Sequence, residues 1–353
     1  MEKPLKRSPT VSPKILAKQV KALAKDLGFD VCGIAEAKPF PKQNYFFSWL
    51  EQGMAAGMEW LKRNPERRLN PRLVLPGTKR VVVLGTNYYQ PQPGHRGKIA
   101  TYALGKDYHD LLPKRVRQLS DQMNEWGGEQ RCYTDTGPVM EKALSAMTSV
   151  GWQGKSTMLI HRKHGAWLFL SVILTTLELE FDEPEKDHCG NCTRCMDACP
   201  TDAITTNRPY QLDARRCIAY LTIEHKGIIP VEFRKAIGDH LFGCDDCLDV
   251  CPWNRWAQET REAGFKPIDR PDLRVMLHWD DATFRNAFRG TPVFRLKRDR
   301  WIRNLCVVLG NIGDQEDLWA LREVLKREKN EVILDHATWA VDQLEKKFGL
   351  APA

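Results

Sequence analysis

No stretch of this sequence carries the roughly 18 uncharged apolar residues that a membrane helix needs. The best apolar run, Ala166 to Leu177, stops at Glu178 and Glu180 and reads as a buried strand. The N-terminus is basic but has no apolar core ahead of a cleavage site, so no secretory leader is expected. No Cys-x3-Cys-x2-Cys run occurs, which removes the usual radical S-adenosylmethionine site. Gly154-Lys155-Ser156 ends like a phosphate-binding loop, yet Ser149 stands where the leading glycine belongs. Asp107-Tyr108-His109 opens like the cobalamin-binding Asp-x-His-x-x-Gly motif, but Leu112 replaces its glycine, so His109 is not expected to be a dependable cobalt ligand. These absences point to a cytoplasmic protein. In that reducing compartment its eleven cysteines argue for metal or redox chemistry rather than disulfides.

With 353 residues and a hydrophobic fraction of 42%, the chain has room for two or three domains and a sizeable core. Residues 1–13 are polar, contain three prolines and read as a mobile tail. Leu16, Val20, Leu23 and Leu27 mark a first amphipathic helix, and Leu112, Val116, Leu119 and Met123 a second. Strands are expected over Val31 to Ala35, Val81 to Thr86, Arg131 to Thr134, Thr157 to His161 and Trp167 to Thr175. Pro138 suits the first turn of a helix. This alternation predicts an α/β domain over 14–185. A cysteine-rich unit follows at 186–258.

From about Arg270 the pattern is helical. Ile302, Leu305, Cys306 and Leu309 share one face; Leu318, Leu321 and Leu325 another; Ile333, Ala337, Ala340, Val341 and Leu344 a third. Gly310 and Gly313 read as punctuation and Asp314 as an N-cap. Residues 270–353 are thus expected to be an all-α module of HEAT-like repeats.

Cys189-x2-Cys192-x2-Cys195-x3-Cys199-Pro200 matches the bacterial ferredoxin run. Three thiolates at that spacing wrap one corner of a four-iron cube, and the fourth reaches a second cube. Cys244-x2-Cys247-x3-Cys251-Pro252 supplies the second set, with Cys217 as its displaced first ligand. The crossed pattern assigns Cys189, Cys192, Cys195 and Cys251 to one [4Fe–4S] cluster, and Cys199, Cys217, Cys244 and Cys247 to the other. Structural zinc sites also use four cysteines with two-residue gaps, but do not require the doubled Cys-x3-Cys-Pro ending. Cys32, Cys132 and Cys306 fall in apolar runs and are expected to be inert thiols.

The formal charge of +8 allows a polyanionic partner. Lys62, Arg63, Arg67, Arg68, Arg72, Lys79 and Arg80 form one basic stretch; Arg285, Arg289, Arg295, Lys297, Arg298, Arg300 and Arg303 form a second. Two such runs on a cluster protein bring nucleic acid into consideration.

Several short segments, in order along nearly the whole chain, resemble the epoxyqueuosine reductases, iron–sulfur and cobalamin enzymes of tRNA modification. They are Tyr102-Ala103-Leu104-Gly105-Lys106-Asp107-Tyr108-His109, Asp135-Thr136-Gly137-Pro138, Gly151-Trp152-Gln153-Gly154-Lys155, the double cysteine run, and the stretch from Arg303-Asn304 to Gly310-Asn311. The resemblance implies that the α/β domain binds cobalamin, that the cysteine-rich unit is ferredoxin-like, and that epoxyqueuosine is reduced to queuosine at a tRNA wobble position. It implies Asp135 as proton donor, whereas local sequence alone favours a helix cap there. It further implies cobalamin contacts from Met58, Tyr102, Tyr108, Asp135 and Lys155. Contacts to tRNA are expected from Arg285, Arg295, Lys297, Arg298 and Arg303. A flavodoxin- or ferredoxin-like donor would supply electrons to a monomer. Thr101 stands where the family usually has arginine, which puts one cofactor contact in doubt. Rival readings are a cobalamin-dependent reductive dehalogenase and a non-catalytic electron carrier.

Overall fold

The computed structural model describes residues 11–350; the expected tail at 1–13 lies outside them except for its last three positions. Ser12 accepts from the Ile15 amide and starts α1 at Pro13, so ordered structure begins where the tail was expected to end.

A four-stranded sheet organises the first half of the chain. Its strands are β1 (Val31–Glu36), β2 (Arg80–Asn87), β4 (Gln130–Tyr133) and β7 (Leu168–Thr175), in the order β1-β2-β7-β4. Every neighbouring pair is antiparallel, with Val83 of β2 opposite Gly33 of β1 and Val172 of β7. The pleat sends alternate residues to opposite faces. On one face, Ile34, Val82, Leu84 and Ile173 pack under α1 (Pro13–Asp26) and α4 (Tyr108–Glu125). On the other, Ala35, Val81, Val83, Val172 and Leu174 meet Val139, Leu144, Val150 and Leu159. Central strands covered on both faces read as continuous apolar runs.

Around that sheet lie α2 (Gln43–Glu51), α3 (Pro65–Leu69), α5 (Glu141–Ser145) and a small hairpin of β5 (Trp152–Gln153) with β6 (Leu159–Ile160). Two local expectations change. The helix foreseen at Pro138 begins three residues later, at Glu141, after an irregular loop. The strand foreseen over Thr157 to His161 shrinks to two residues, because Thr157 turns the chain with φ 66°.

The cysteine-rich stretch is mostly loop, with four-residue helices α6 (Arg194–Asp197), α7 (Val231–Arg234) and α8 (Asp246–Asp249). Its strand β8 (His240–Phe242) pairs in parallel with β3 (Lys98–Ile99). The C-terminal region is all-α: α9 (Leu273–Leu277), α10 (Asp281–Phe288), α11 (Lys297–Ile312), α12 (Gln315–Arg327) and α13 (Glu331–Phe348). Asp314 caps α12 as expected, in a reciprocal box with Asp317. Gly310, expected as punctuation, lies inside α11. A β-carbon there would come within 2.6 Å of Trp339 and 2.9 Å of the Ala340 backbone, so the glycine is what lets α13 cross closely.

These helices share one core with Ile99, Leu104, Ile223, Leu241 and Phe242, which belong to earlier parts of the chain. No helix among the described residues is long and apolar enough to cross a membrane.

Candidate active site and metal centres

Burial, and then the neighbouring thiols of Cys189, Cys192 and Cys251, push the Cys195 thiol up to about 11. Cys247 is raised by burial and then by the neighbouring thiols of Cys217 and Cys199. Cys217 in turn feels Cys199, and Cys244 feels Cys247 and Cys217. Thiols so crowded and desolvated hold their protons, and a metal cluster that takes them as thiolates relieves the crowding. None is in a disulfide.

A cavity of about 200 Å³ is lined by Cys189, Cys192, Cys195, Cys247 and Cys251, with Lys155, Trp253 and Arg255 on its walls. The Lys155 ammonium donates to the carbonyls of Gly190 (2.6 Å) and Cys192 (3.0 Å), so this side chain braces the first cysteine loop. The Ala203 amide donates to Cys199 Sγ at 3.3 Å. The remaining cysteines are placed as apolar fillers: Cys306 is fully buried in α11, and burial pushes both it and Cys32 up to about 12.

Beyond the cysteines, β4 ends in the loop that carries Asp135. Asp135 has φ 58°, a left-handed conformation that aspartate tolerates better than most residues. Its side chain is 62% exposed, and Tyr108 Oη donates to Oδ2 at 2.5 Å. Burial, then the Asp135 charge, raises Tyr108 far above its usual range, which keeps it an O–H donor. Tyr108 stacks on Phe169 at 4.2 Å, and Tyr102 meets both rings edge-on. His109 bonds Asp107 at 2.9 Å, which raises it, and lies 4.0 Å from Asp135.

Asp135 caps no helix: α5 starts at Glu141, and its N-cap Met140 makes no side-chain bond. The loop is tied down elsewhere. Arg68 donates to the carbonyls of Gly137 (3.4 Å) and Trp60 (3.0 Å), linking it to the Met58 segment. The Gly57 amide donates to Tyr220 Oη at 2.9 Å, which brings that segment against the chain just after Cys217. Met58, Trp60, Asp135 and Tyr108 therefore belong to one connected surface, with Tyr102 packed behind Tyr108. An apolar and aromatic rim around the Asp135 carboxyl suits the broad face of a tetrapyrrole-like macrocycle. Thr101 is buried, its amide donating to Asp245 at 2.6 Å, and takes no part in that rim. Arg68 was indicated by no motif; only the fold brings it to the loop.

The second basic run divides in the structure. Arg285, Arg289, Arg295 and Lys297 are exposed, although Arg295 pairs with Glu224 at 2.7 Å. Arg298 is committed to Glu328 and to the Trp279 carbonyl. Arg303, expected at a tRNA surface, is fully buried. Its guanidinium donates to the carbonyls of Leu221, His225 and Gly227, leaving nothing for a phosphate.

Converging thiols beside a tyrosine-bound carboxyl define the class of an iron–sulfur oxidoreductase. Comparison with known proteins gives the family. A 4Fe-4S double cluster binding domain model matches residues 188–254. The model described as "Epoxyqueuosine reductase QueG, DUF1730" matches 68–136. An epoxyqueuosine reductase of Xanthomonas campestris is 40% identical over 345 residues, covering 94% of this chain and 97% of that one. The Escherichia coli K12 reductase is 34% identical over 351 residues, covering 94% and 90%.

Two solved reductases share the fold. One, bound to an epoxyqueuosine-modified tRNA-Tyr stem loop, has a TM-score of 0.87 and 28% identity, covering 97% of this chain and 96% of that one. The other, from Bacillus subtilis, has its catalytic aspartate loop swung out of the active site. Its TM-score is 0.87 at 29% identity, covering 94% and 91%. This chain belongs to the epoxyqueuosine reductase family.

Proposed function

We propose that this protein reduces epoxyqueuosine to queuosine at the wobble position of a tRNA anticodon, with two [4Fe–4S] clusters and cobalamin. The observation that carries the reading is the exposed Asp135 carboxyl held by Tyr108, in a chain of this family whose cysteines converge nearby. Turning an epoxide into an alkene takes two electrons and two protons, and the oxygen leaves as water. Cys189, Cys192, Cys195 and Cys251 would hold one cluster, and Cys199, Cys217, Cys244 and Cys247 the other, passing single electrons inward. Met58, Tyr102, Tyr108 and Asp135 would face the cobalamin, and Lys155 would act through the first cysteine loop. When bound, that cofactor supplies a low-valent cobalt able to act on carbon. Asp135, presented to solvent at the end of β4, delivers a proton to the epoxide oxygen.

The finer architecture is part of the same reading. A cobalamin-binding α/β domain spans 14–185, a ferredoxin-like domain 186–258 and a HEAT-like module 270–353. The core of the last two also takes in Ile99 and Leu104 of the first, which argues that the three move together. Exposed Arg285, Arg289, Arg295 and Lys297 offer a basic face for tRNA phosphates. A low-potential flavodoxin- or ferredoxin-like protein would deliver electrons to a cytoplasmic monomer; eleven unpaired thiols suit that compartment. Anaerobic incubation of the cofactor-replete protein with epoxyqueuosine-containing tRNA and a low-potential reductant should yield queuosine by nucleoside mass spectrometry. Unchanged epoxyqueuosine would overturn the reading.

A further inference from the structure

The basic stretch from Lys62 to Arg80 takes no part in the function proposed above, and the structure divides it as it divides the second. Lys79 and Arg80 pair with Glu178, and Lys62 pairs with Glu59 at 2.8 Å. Arg68 turns inward to the carbonyls of Gly137 and Trp60. Arg63, Arg67 and Arg72 are exposed and form no ion pair among the described residues. Between Glu59 and Arg72, five cations stand against two carboxylates, Glu59 and Glu66, so the segment keeps an excess of positive charge at its surface. Beside these arginines the Trp60 side chain is 41% exposed.

Hydrogen bonds place this strip next to the reactive carboxyl. One Arg68 guanidinium bridges the Trp60 carbonyl (3.0 Å) and the carbonyl of Gly137 (3.4 Å), two residues past Asp135. From the C-terminal helices, the Gly290 carbonyl accepts from the Asp107 amide at 2.7 Å. That bond fixes the exposed Arg289 beside the start of α4, where Tyr108 holds Asp135. Along this one chain of hydrogen bonds, the Asp135–Tyr108 pair stands between two basic strips. We propose that Arg63 and Arg67 form a second RNA-binding surface, which grips phosphates of the anticodon loop on one flank of Asp135 while the α10 face takes the other. This rests on the reductase reading above.

A base that reaches Asp135 belongs to a strand that leaves the site in two directions, and phosphate contacts on both flanks fix its register. Guanidinium groups suit that task because their fork of N–H donors matches phosphate oxygens. Exposed Trp60 adds a flat face on which an unpaired flanking base can stack. An acidic protein would answer to the same charges, but the tie to the Asp135 loop favours the strand that carries the reacting base.

The test uses the anaerobic, cofactor-replete protein and an anticodon stem-loop RNA carrying epoxyqueuosine. Replacing both arginines, Arg63→Gln with Arg67→Gln, should leave iron, cobalamin and thermal unfolding unchanged, because neither side chain is held by the fold. The Kd for the stem loop should rise about tenfold, and the slope of log K against log salt should fall by about 1.4, the value for two contacts to an unpaired strand. Arg63→Lys with Arg67→Lys keeps the charge and should restore that slope, which a merely structural role would not require. In the parent protein, the RNA should shield Arg63 and Arg67 from phenylglyoxal, as read by peptide mass spectrometry. Parent-like affinity and salt slope in the glutamine pair would overturn the proposal. If that pair loses its cofactors, the parent protein decides: equal modification with and without RNA, or shielding by a flavodoxin instead of by RNA, would overturn it. A parent protein that binds no anticodon stem loop at all would strike the reductase reading and this proposal with it, a result distinct from a failure confined to the arginines.

Discussion

At the scale of single residues, the decisive position is Asp135. Local sequence favours a helix cap there, because aspartate is common at helix starts and Pro138 suits a first helical turn. The helix begins instead at Glu141, so the capping role has no helix to serve. What remains is a left-handed residue whose carboxyl is exposed and bonded by Tyr108. Asparagine tolerates that backbone conformation as well as aspartate does, and can still accept from Tyr108. Asp135→Asn should therefore leave stability, metal content and tRNA affinity near wild type. Its queuosine formation should drop roughly 10²–10⁴-fold, the usual contribution of a positioned general acid. Near-normal turnover in a cofactor-replete sample would remove Asp135 from the chemistry. Gly137 shows why the loop holds its shape: a β-carbon there would lie 2.2 Å from the Tyr133 ring, which cannot swing aside as a flexible chain end would.

At the scale of elements, charge patterning located a basic run but not its division of labour. On α10 and just past its end, Arg285 and Arg289 face solvent. On α11 the periodicity turns the following arginines inward, Arg298 toward Glu328 and Arg303 into the core. Reversing Arg285 and Arg289 to glutamate should weaken tRNA binding and lower the slope of log K against log salt by about 2, one for each lost phosphate contact. Thermal stability should hold. Unchanged affinity across a salt titration would show that α10 is an ordinary solvated face. Reversing Arg298 is a different experiment: it would set a carboxylate beside Glu328 and disturb the fold rather than the RNA.

At the scale of the whole molecule, Arg303 binds the C-terminal helices to the cysteine-rich stretch. Its guanidinium satisfies carbonyls at Leu221, His225 and Gly227, just beyond Cys217, and burial lowers it to about 9. Arg303→Met would fill similar space but strand those acceptors. The expected cost is about 3–5 kcal/mol, as for a buried charge network that loses one partner. With Cys217 loosened, iron should fall from about eight to about four per chain, one cube out of two. Full iron and unchanged thermal unfolding would refute this linkage. The same arginine lay within the resemblance to the family and within the basic run, and only burial decided between a structural and an RNA-binding role.

The sequence by itself determined the eight clustered cysteines, the principal strands and helices, and the family. Ligand spacing, hydrophobic period and ordered motifs are all carried along one dimension. The tertiary structure decided that Arg303 is a buried tie, that Asp135 is presented rather than capping, that Gly310 is a helix crossing, and that Arg68 ties down the loop. Those facts depend on burial and on contacts between residues far apart in the chain. No local pattern encodes the desolvation that fixes a carboxyl's proton or an arginine's partners.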